Sequence, residues 1–202
     1  MKRGSMRFWL CASGALWLIA LSGALVKQCV SQPQLGKTRV NEVSLAGLQP
    51  GKASLKLLRR KWKSLKAQEN KEGAFVLDEV CYGNYLFVDA DKSGAITVIR
   101  LAKDDTRAFT ECEYKKTKVL HPPFATGRGL TINNRSTQVI QIYGEPTSRS
   151  PSTKNGQPLE LLYYAFDWAG PDVPQVMEVV CTAPKDGTPG RVVEITLAAS
   201  SL

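Results

Sequence analysis

The sequence predicts an α+β fold made of two tandem repeats, each a helix followed by an antiparallel meander. Two internal matches predict the repetition: residues 47–58 resemble 129–140, and residues 96–102 resemble 192–198. A match of this size is typical of one supersecondary unit used twice. Neither half alternates strands with long helices, as a parallel sheet requires, so an antiparallel sheet is expected.

The first 26 residues have the layout of an export leader. Lys2, Arg3 and Arg7 accompany the start of an uncharged apolar run at 8–26. A basic start followed by an apolar core is typical of a secretory signal, and this run is also long enough to cross a bilayer. A cleaved signal peptide and a retained inner-membrane anchor both fit. In either case the rest of the chain is expected outside the cytoplasm, periplasmic or secreted.

The remaining chain divides by composition and periodicity. Residues 27–42 are polar and predict a linker. The other segments are a first repeat at 43–102, a charged connector at 103–128 and a second repeat at 129–202.

In the first repeat, apolar side chains recur at spacings of three and four residues between 53 and 68, which predicts a helix. Three apolar runs then predict strands at 74–80, 85–89 and 95–101. The polar, glycine-containing segment between the last two predicts a hairpin turn.

In the second repeat, Asn133 or Asn134 is expected to cap a helix that Gly144 and Pro146 end. Strands are expected at 159–168, 175–183 and 191–199, and loops at 148–158 and 169–174.

The opening of the second repeat resembles a family of small exported domains. The residues that carry the resemblance are Gly129-Leu130-Thr131, Gln138-Val139 and Tyr143-Gly144-Glu145-Pro146. They are similar to the SmpA/OmlA (BamE-type) outer-membrane assembly lipoproteins and to the two-copy β-lactamase inhibitor protein. The resemblance is clearest over 129–198 and weaker over 47–102. It implies a protein-binding scaffold without catalytic residues, and no lipidation cysteine matches.

Of five cysteines, Cys11 lies in the leader, and the other four permit disulfides in an oxidising compartment. Three pairings are open, of which a bridge between Cys81 and Cys112 is preferred. It would stabilise the fold by about 3 kcal/mol. Free buried thiols are the alternative.

No metal or cofactor site is predicted. The chain has a single histidine, His121, and no CxxC pair. Residues 89–96 match the start of a calcium loop, but Arg100 occupies the position of the closing glutamate.

Catalysis is not predicted, because the sequence shows no nucleophile elbow and no recognisable carboxylate pair. The sequence predicts a non-catalytic protein-binding module that contacts an envelope or secreted protein through a sheet surface and loops. A small envelope hydrolase or carbohydrate-active enzyme is the alternative. Alternation predicts that Tyr164, Phe166 and Trp168 are buried together in the core and that Tyr163 points outward. If the outward face of the sheet is open, Tyr163 and its neighbours, with Trp168 among them, are candidate contacts.

The formal net charge of +9 is concentrated in part on the first predicted helix, where Lys56, Arg59 and Lys63 lie away from the apolar stripe. These cations fit a solvated helix face, or contact with an anionic membrane or envelope polymer. Nucleic acid is not expected as a partner, because exported chains rarely meet it and no ladder of aromatic residues interleaves with the charges.

Overall fold

The computed structural model describes residues 39–63, 67–69, 75–79, 83–103, 122–167, 170 and 173–199. Two helices and eight strands lie in these ranges. In chain order they are α1 (Leu55–Lys61), β1 (Ala67–Glu69), β2 (Phe75–Glu79), β3 (Asn84–Ala90), β4 (Ile96–Lys103), α2 (Ser136–Tyr143), β5 (Ser148–Lys154), β6 (Gln157–Ala165), β7 (Val176–Thr182) and β8 (Val192–Ala198).

All eight strands belong to one antiparallel sheet in the order β1-β2-β3-β4-β8-β7-β6-β5. The prediction of two tandem helix-plus-meander repeats is therefore wrong. The strands at 96–102 and 192–198, whose likeness suggested separate units, pair with each other from Val98↔Ala198 to Ala102↔Glu194. This pairing satisfies backbone groups that two separate meanders would leave unpaired at their edges.

The helices are short, with seven residues in α1 and eight in α2. Ser54 caps α1 by accepting a hydrogen bond from the Leu57 amide at 3.4 Å. The helix ends at Lys61 instead of continuing to 68, and 67–69 form a strand. Trp62, expected inside the helix, is its C-cap and packs edge-on against Phe124 with ring centroids 4.9 Å apart.

The start of α2 differs from the prediction, since Arg135 is the N-cap residue. Asn133 is left-handed at φ 69°, and the Asn134 side chain accepts a hydrogen bond from the Thr131 amide at 2.8 Å. Both asparagines thus shape the turn before the helix. Gly144 ends α2 at φ 80° and ψ −168°, a conformation that is nearly exclusive to glycine.

Strand β5 replaces most of the loop expected at 148–158. It pairs with β6 along its whole length, from Ser148↔Tyr163 to Lys154↔Gln157. Asn155 and Gly156 join the two strands with φ values of 51° and 75°, as a two-residue hairpin turn requires.

Successive side chains of the strands alternate between two faces, here called the inner and the outer face. The inner face carries the hydrophobic core, in which Leu86, Ile99 and Leu197 are completely buried. Leu58 of α1 and Val139 of α2 belong to the same buried cluster, together with side chains from 45–53 and 124–132. Both helices and these segments therefore pack against the inner face.

A buried carboxylate fastens the start of the described chain to α2. Glu42 is 1% exposed, although it lies in the range predicted as a linker. Its Oε1 accepts hydrogen bonds from the amides of Val43 and Ser44 at 2.8 and 3.1 Å. Its Oε2 accepts from the Arg128 amide at 3.1 Å and from the Tyr143 hydroxyl at 2.7 Å.

The Tyr143 hydroxyl connects this carboxylate to a further group, because it lies 2.7 Å from Thr126 Oγ1. Burial raises the pKa of Tyr143 well above its usual value, so the hydroxyl keeps its proton and donates it to Glu42. The described ends of the predicted linker and connector, 39–42 and 122–128, are thus parts of the packed body.

Candidate functional site: the outer face of the sheet

Two rows of side chains cross the outer face of the sheet in register. The first row runs through Tyr163, Glu178, Thr196, Arg100, Phe87 and Val76. The second row runs through Leu161, Val180, Glu194, Ala102 and Tyr85. In the parts of the chain that the structure describes, helices and core-forming loops pack on the inner face instead.

The composition of the outer face is mixed. Tyr85, Phe87 and Tyr163 are partly exposed, as are the aliphatic residues Leu161 and Val180. The small residues Ala102 and Thr196 lie between them and are 5% and 6% exposed. The larger aromatic and aliphatic groups thus lie on both sides of the two central strands, where these small residues pair with Arg100 and Glu194.

A cation and an aromatic ring are combined on one half of this face. The Arg100 guanidinium lies 4.3 Å from the centroid of the Phe87 ring, its cross-strand neighbour. The same guanidinium is 3.9 Å from Glu194 Oε1. An arginine that stacks on an aromatic ring while it pairs with a carboxylate uses both properties of its planar group.

A second cation reaches Glu194 from the edge of the sheet, because Lys154 Nζ lies 3.7 Å from Glu194 Oε2. Lys154 is on β5, three strands from β8, and four residues beyond the row of Glu194. In a flat sheet the two Cα atoms would be about 20 Å apart, given the usual strand spacing and rise. The contact therefore requires the β5–β6 hairpin to curve over the outer face, which makes this end concave.

Glu178 lies beside this arrangement and differs from Glu194. Partial burial raises its pKa, and the negative charge of Glu194 raises it further. Across the strands its neighbours are Tyr163 and Thr196. Within the described ranges, no donor lies within hydrogen-bonding or ion-pair distance of its carboxylate.

The structure separates the site residues that the sequence suggested. Tyr163 is on the outer face, next to Glu178. Lys56 and Arg59 are exposed on α1, and Lys63 is exposed just beyond it. Because α1 packs on the inner face, these cations do not join Tyr163 in one surface.

Trp168, His121 and the pair Cys81 and Cys112 lie outside the described residues. Cys181 is a free thiol in the core, and burial raises its pKa to about 12. It therefore packs as a small apolar group.

The segment that resembled a calcium loop is the turn between β3 and β4. Asp91 Oδ1 accepts hydrogen bonds from Ser93 Oγ at 2.6 Å and from the amides of Ser93 and Ala95 at 2.8 and 3.0 Å. These bonds, the Ser93 hydroxyl first, lower the pKa of Asp91. Its carboxylate thus stabilises a hairpin turn, as an Asx turn does.

Sequence reasoning missed Glu178, Arg100 and Glu194 as members of one surface. Alternation within each strand was a usable signal for the face on which each lies. Their proximity depends on the pairing of β4 with β8 and of β8 with β7, which no local pattern reveals.

No known protein family and no curated protein matches the chain. Among solved structures, the chain is similar to a cysteine-rich secretory protein from Staphylococcus aureus subsp. aureus Mu50, with 12% sequence identity and a TM-score of 0.40. The similarity covers 80% of this chain and 48% of that one, so the chain spans about half the length of that protein. The resemblance to the BamE-type lipoproteins and to the inhibitor protein stays a prediction.

Neither described helix has the length and apolar character needed to span a bilayer.

Proposed function

We propose that this chain is an exported, non-catalytic module that binds another envelope or secreted protein through the outer face of its sheet. One observation carries the proposal. Aromatic and aliphatic side chains, among them Tyr85, Phe87 and Tyr163, share a partly exposed face, while the described helices pack on the opposite side. Aromatic residues contribute most of the binding energy at many protein interfaces.

The form of the face supports the same proposal. The β5–β6 hairpin curves over it, and on its two central strands the small residues Ala102 and Thr196 lie opposite Glu194 and Arg100. A convex segment of a partner would bury its apolar groups against the aromatic residues, while Arg100 and Glu194 supply polar contacts at the centre of the face. Such a surface binds a protein without needing a deep pocket.

Site-specific photo-crosslinking in an envelope extract of the source organism tests the proposal. A photoreactive amino acid replaces Phe87 or Leu161 on the outer face in the full chain. The matched controls carry it at Thr153 or Thr188, which are exposed elsewhere. We expect one partner to be captured from both outer-face positions and from neither control. Equal capture from all four positions, or none from the outer face, would contradict the proposal.

A second candidate function rests on the charge of α1. The segment 43–63 contains no Asp or Glu, whereas Lys52, Lys56, Arg59, Arg60 and Lys63 are all exposed. Within the described residues, no carboxylate pairs with these cations. A surface of this kind attracts phosphate-bearing membranes or envelope polymers, and salt screens the attraction.

Sedimentation with vesicles tests this second function. Phosphatidylglycerol-containing vesicles should bind the chain at low salt, and the variant Lys56→Gln/Arg59→Gln/Lys63→Gln should bind more weakly. Vesicles of phosphatidylcholine alone are the neutral control. A soluble anionic polymer that binds where the vesicles do not would identify the polymer as the partner, and binding of neither would exclude this function.

A further inference from the structure

The two carboxylates at the centre of the outer face differ in their counter-ions. Glu194 is paired with Arg100 and with Lys154. Glu178, on the adjacent strand, has no counter-ion among the described residues. Both carboxylates are partly buried, so they differ in whether a described cation lies nearby and not in exposure.

An unpaired, partly buried carboxylate is unfavourable, because it loses water without gaining a donor. The raised pKa of Glu178 has this origin, with the charge of Glu194 as a second cause. A cation delivered from outside the chain would remove the penalty and gain a hydrogen bond to a charged group.

The surroundings of Glu178 match those of the cation already present on this face. Arg100 stacks on Phe87 and pairs with Glu194. Beside Glu178, its cross-strand neighbour Tyr163 supplies the aromatic ring, and Glu178 itself supplies the carboxylate. The two places differ in arrangement, because Phe87 and Glu194 lie on β3 and β8 with Arg100 on the strand between them, whereas Tyr163 and Glu178 are directly paired. Each offers a ring and a carboxylate to one cation, and only the first has a cation from the described chain.

One flank of Glu178 also suits a basic side chain. Val180 follows it on the same face of β7 and is partly exposed, whereas Val176, before it, is buried. An exposed apolar neighbour such as Val180 packs against the methylene stem of lysine or arginine while the charged end reaches a carboxylate. A small anion or an acidic segment would be repelled here by the negative charges of Glu178 and Glu194.

We propose that the partner of the outer face places an arginine or lysine side chain against the adjacent side chains of Tyr163 and Glu178. This inference rests on the proposed binding function and specifies the chemistry of the partner. The partner's cation pairs with Glu178 as Arg100 pairs with Glu194. Binding therefore depends on the charge of Glu178 as well as on the apolar area of the face.

The test uses the full chain with the photoreactive amino acid at position 87. Glu178→Gln keeps the shape of the side chain and removes its charge, and Glu178→Lys reverses the charge. Glu160→Gln is the matched control, because Glu160 is also partly exposed and lies on β6, where Arg149 is its counter-ion. Removal of one member of a desolvated charge pair should lower the yield of adduct by at least about tenfold.

A second arm identifies the cation. One portion of the extract is treated with phenylglyoxal, which blocks arginine, and another with acetic anhydride, which blocks lysine. Loss of the adduct after only one treatment names the residue type. Loss after Glu178→Gln together with loss after one of the treatments supports the inference.

The outcomes separate the two proposals. An undiminished adduct with Glu178→Gln overturns this inference and leaves the binding function in place. An adduct that is undiminished after phenylglyoxal and also after acetic anhydride likewise overturns this inference and leaves the binding function in place. Absence of any adduct with the wild-type sequence at positions 160 and 178 overturns the binding function and this inference together.

Discussion

Glu42 and Glu178 lie on opposite sides of the same sheet, and the two carboxylates differ in the hydrogen-bond donors that surround them. Glu42 is 1% exposed and accepts four hydrogen bonds from groups of its own chain. Glu178 is less buried, yet no described group donates to it. Buried charges persist in proteins when donors surround them. Glu42 is therefore a carboxylate that holds the fold together, whereas Glu178 is one that the described chain leaves without a donor.

The largest effect is expected from Glu42→Ala, which removes the acceptor of all four bonds. The amides of Val43, Ser44 and Arg128 and the Tyr143 hydroxyl would lose their partner inside the protein. We expect the free energy of unfolding to fall by about 3 kcal/mol, the cost of leaving several buried donors unsatisfied. Urea denaturation measures it.

The control for this change is Glu145→Ala, which removes an exposed carboxylate that pairs with Arg149 at 2.7 Å. Surface ion pairs contribute about 0.5 kcal/mol. If Glu42→Ala and Glu145→Ala lower the free energy of unfolding by similar amounts, Glu42 does not stabilise the fold more than an exposed carboxylate does.

Gly127→Ala should have the next largest effect, because it crowds the same carboxylate without removing it. A Cβ atom at this position would lie 2.7 Å from Ser44 Oγ and 2.8 Å from Glu42 Oε1. We expect destabilisation of about 2 kcal/mol, which is typical of overpacking.

The double variant Gly127→Ala/Glu42→Ala tests the cause of that loss. Once the Glu42 side chain is gone, the added methyl group has more room, so the two losses should sum to more than the double variant shows. If the two losses of unfolding free energy are strictly additive, the added methyl group does not destabilise the protein through contact with Glu42.

Tyr143→Phe is a smaller perturbation of the same network. It removes one donor to Glu42 and the contact with Thr126, and it keeps the buried ring. We expect a loss of about 1.5 kcal/mol, since one bond to a charged group disappears. Tyr164→Phe, which removes a single bond to the Gly144 carbonyl, is the comparison and should cost less. A larger loss for Tyr164→Phe would contradict this order.

Glu178→Gln should have the smallest effect on stability, and in the opposite direction. The pKa of Glu178 is raised in the folded protein above its usual value of 4.5. The folded state therefore holds the proton to higher pH than the unfolded chain does, and stability is lost as pH rises from about 4.5 through the raised pKa. The variant lacks this loss, so at neutral pH it should be slightly more stable than the wild type.

Denaturation of the two proteins at a series of pH values measures the difference. It should be constant below pH 4.5 and should grow in favour of the variant above it. A wild type that becomes the more stable of the two as pH rises would show that Glu178 has a cation within its own chain.

The positions of most strands could be predicted from the sequence, because alternation and apolar runs are local. The strands predicted at 74–80, 85–89 and 95–101 lie within two residues of β2, β3 and β4 at each end. Alternation also predicted that Tyr163 and Tyr164 occupy opposite sides of β6, and Tyr164 is buried while Tyr163 is on the outer face. The role of Tyr163 as a contact stays a prediction.

Strand β5 was missed because its residues resemble a loop. Ser148–Lys154 contains a proline and no apolar alternation, and all seven side chains are exposed. An edge strand with no core to cover has no need of apolar residues, and proline is tolerated at an edge. Asn155-Gly156 was the one local signal for this hairpin.

The sequence by itself determined the approximate positions of six of the eight described strands and which side chains share a strand face, because these properties depend on neighbours in the chain. The tertiary structure decided that the two matching strands at 96–102 and 192–198 pair into one sheet. It also brought Tyr143 to Glu42, 101 residues away in sequence, and set Glu178 beside Glu194 without a counter-ion of its own among the described residues. Contacts of this range depend on how the whole chain closes and packs, and that information is not present in any local pattern.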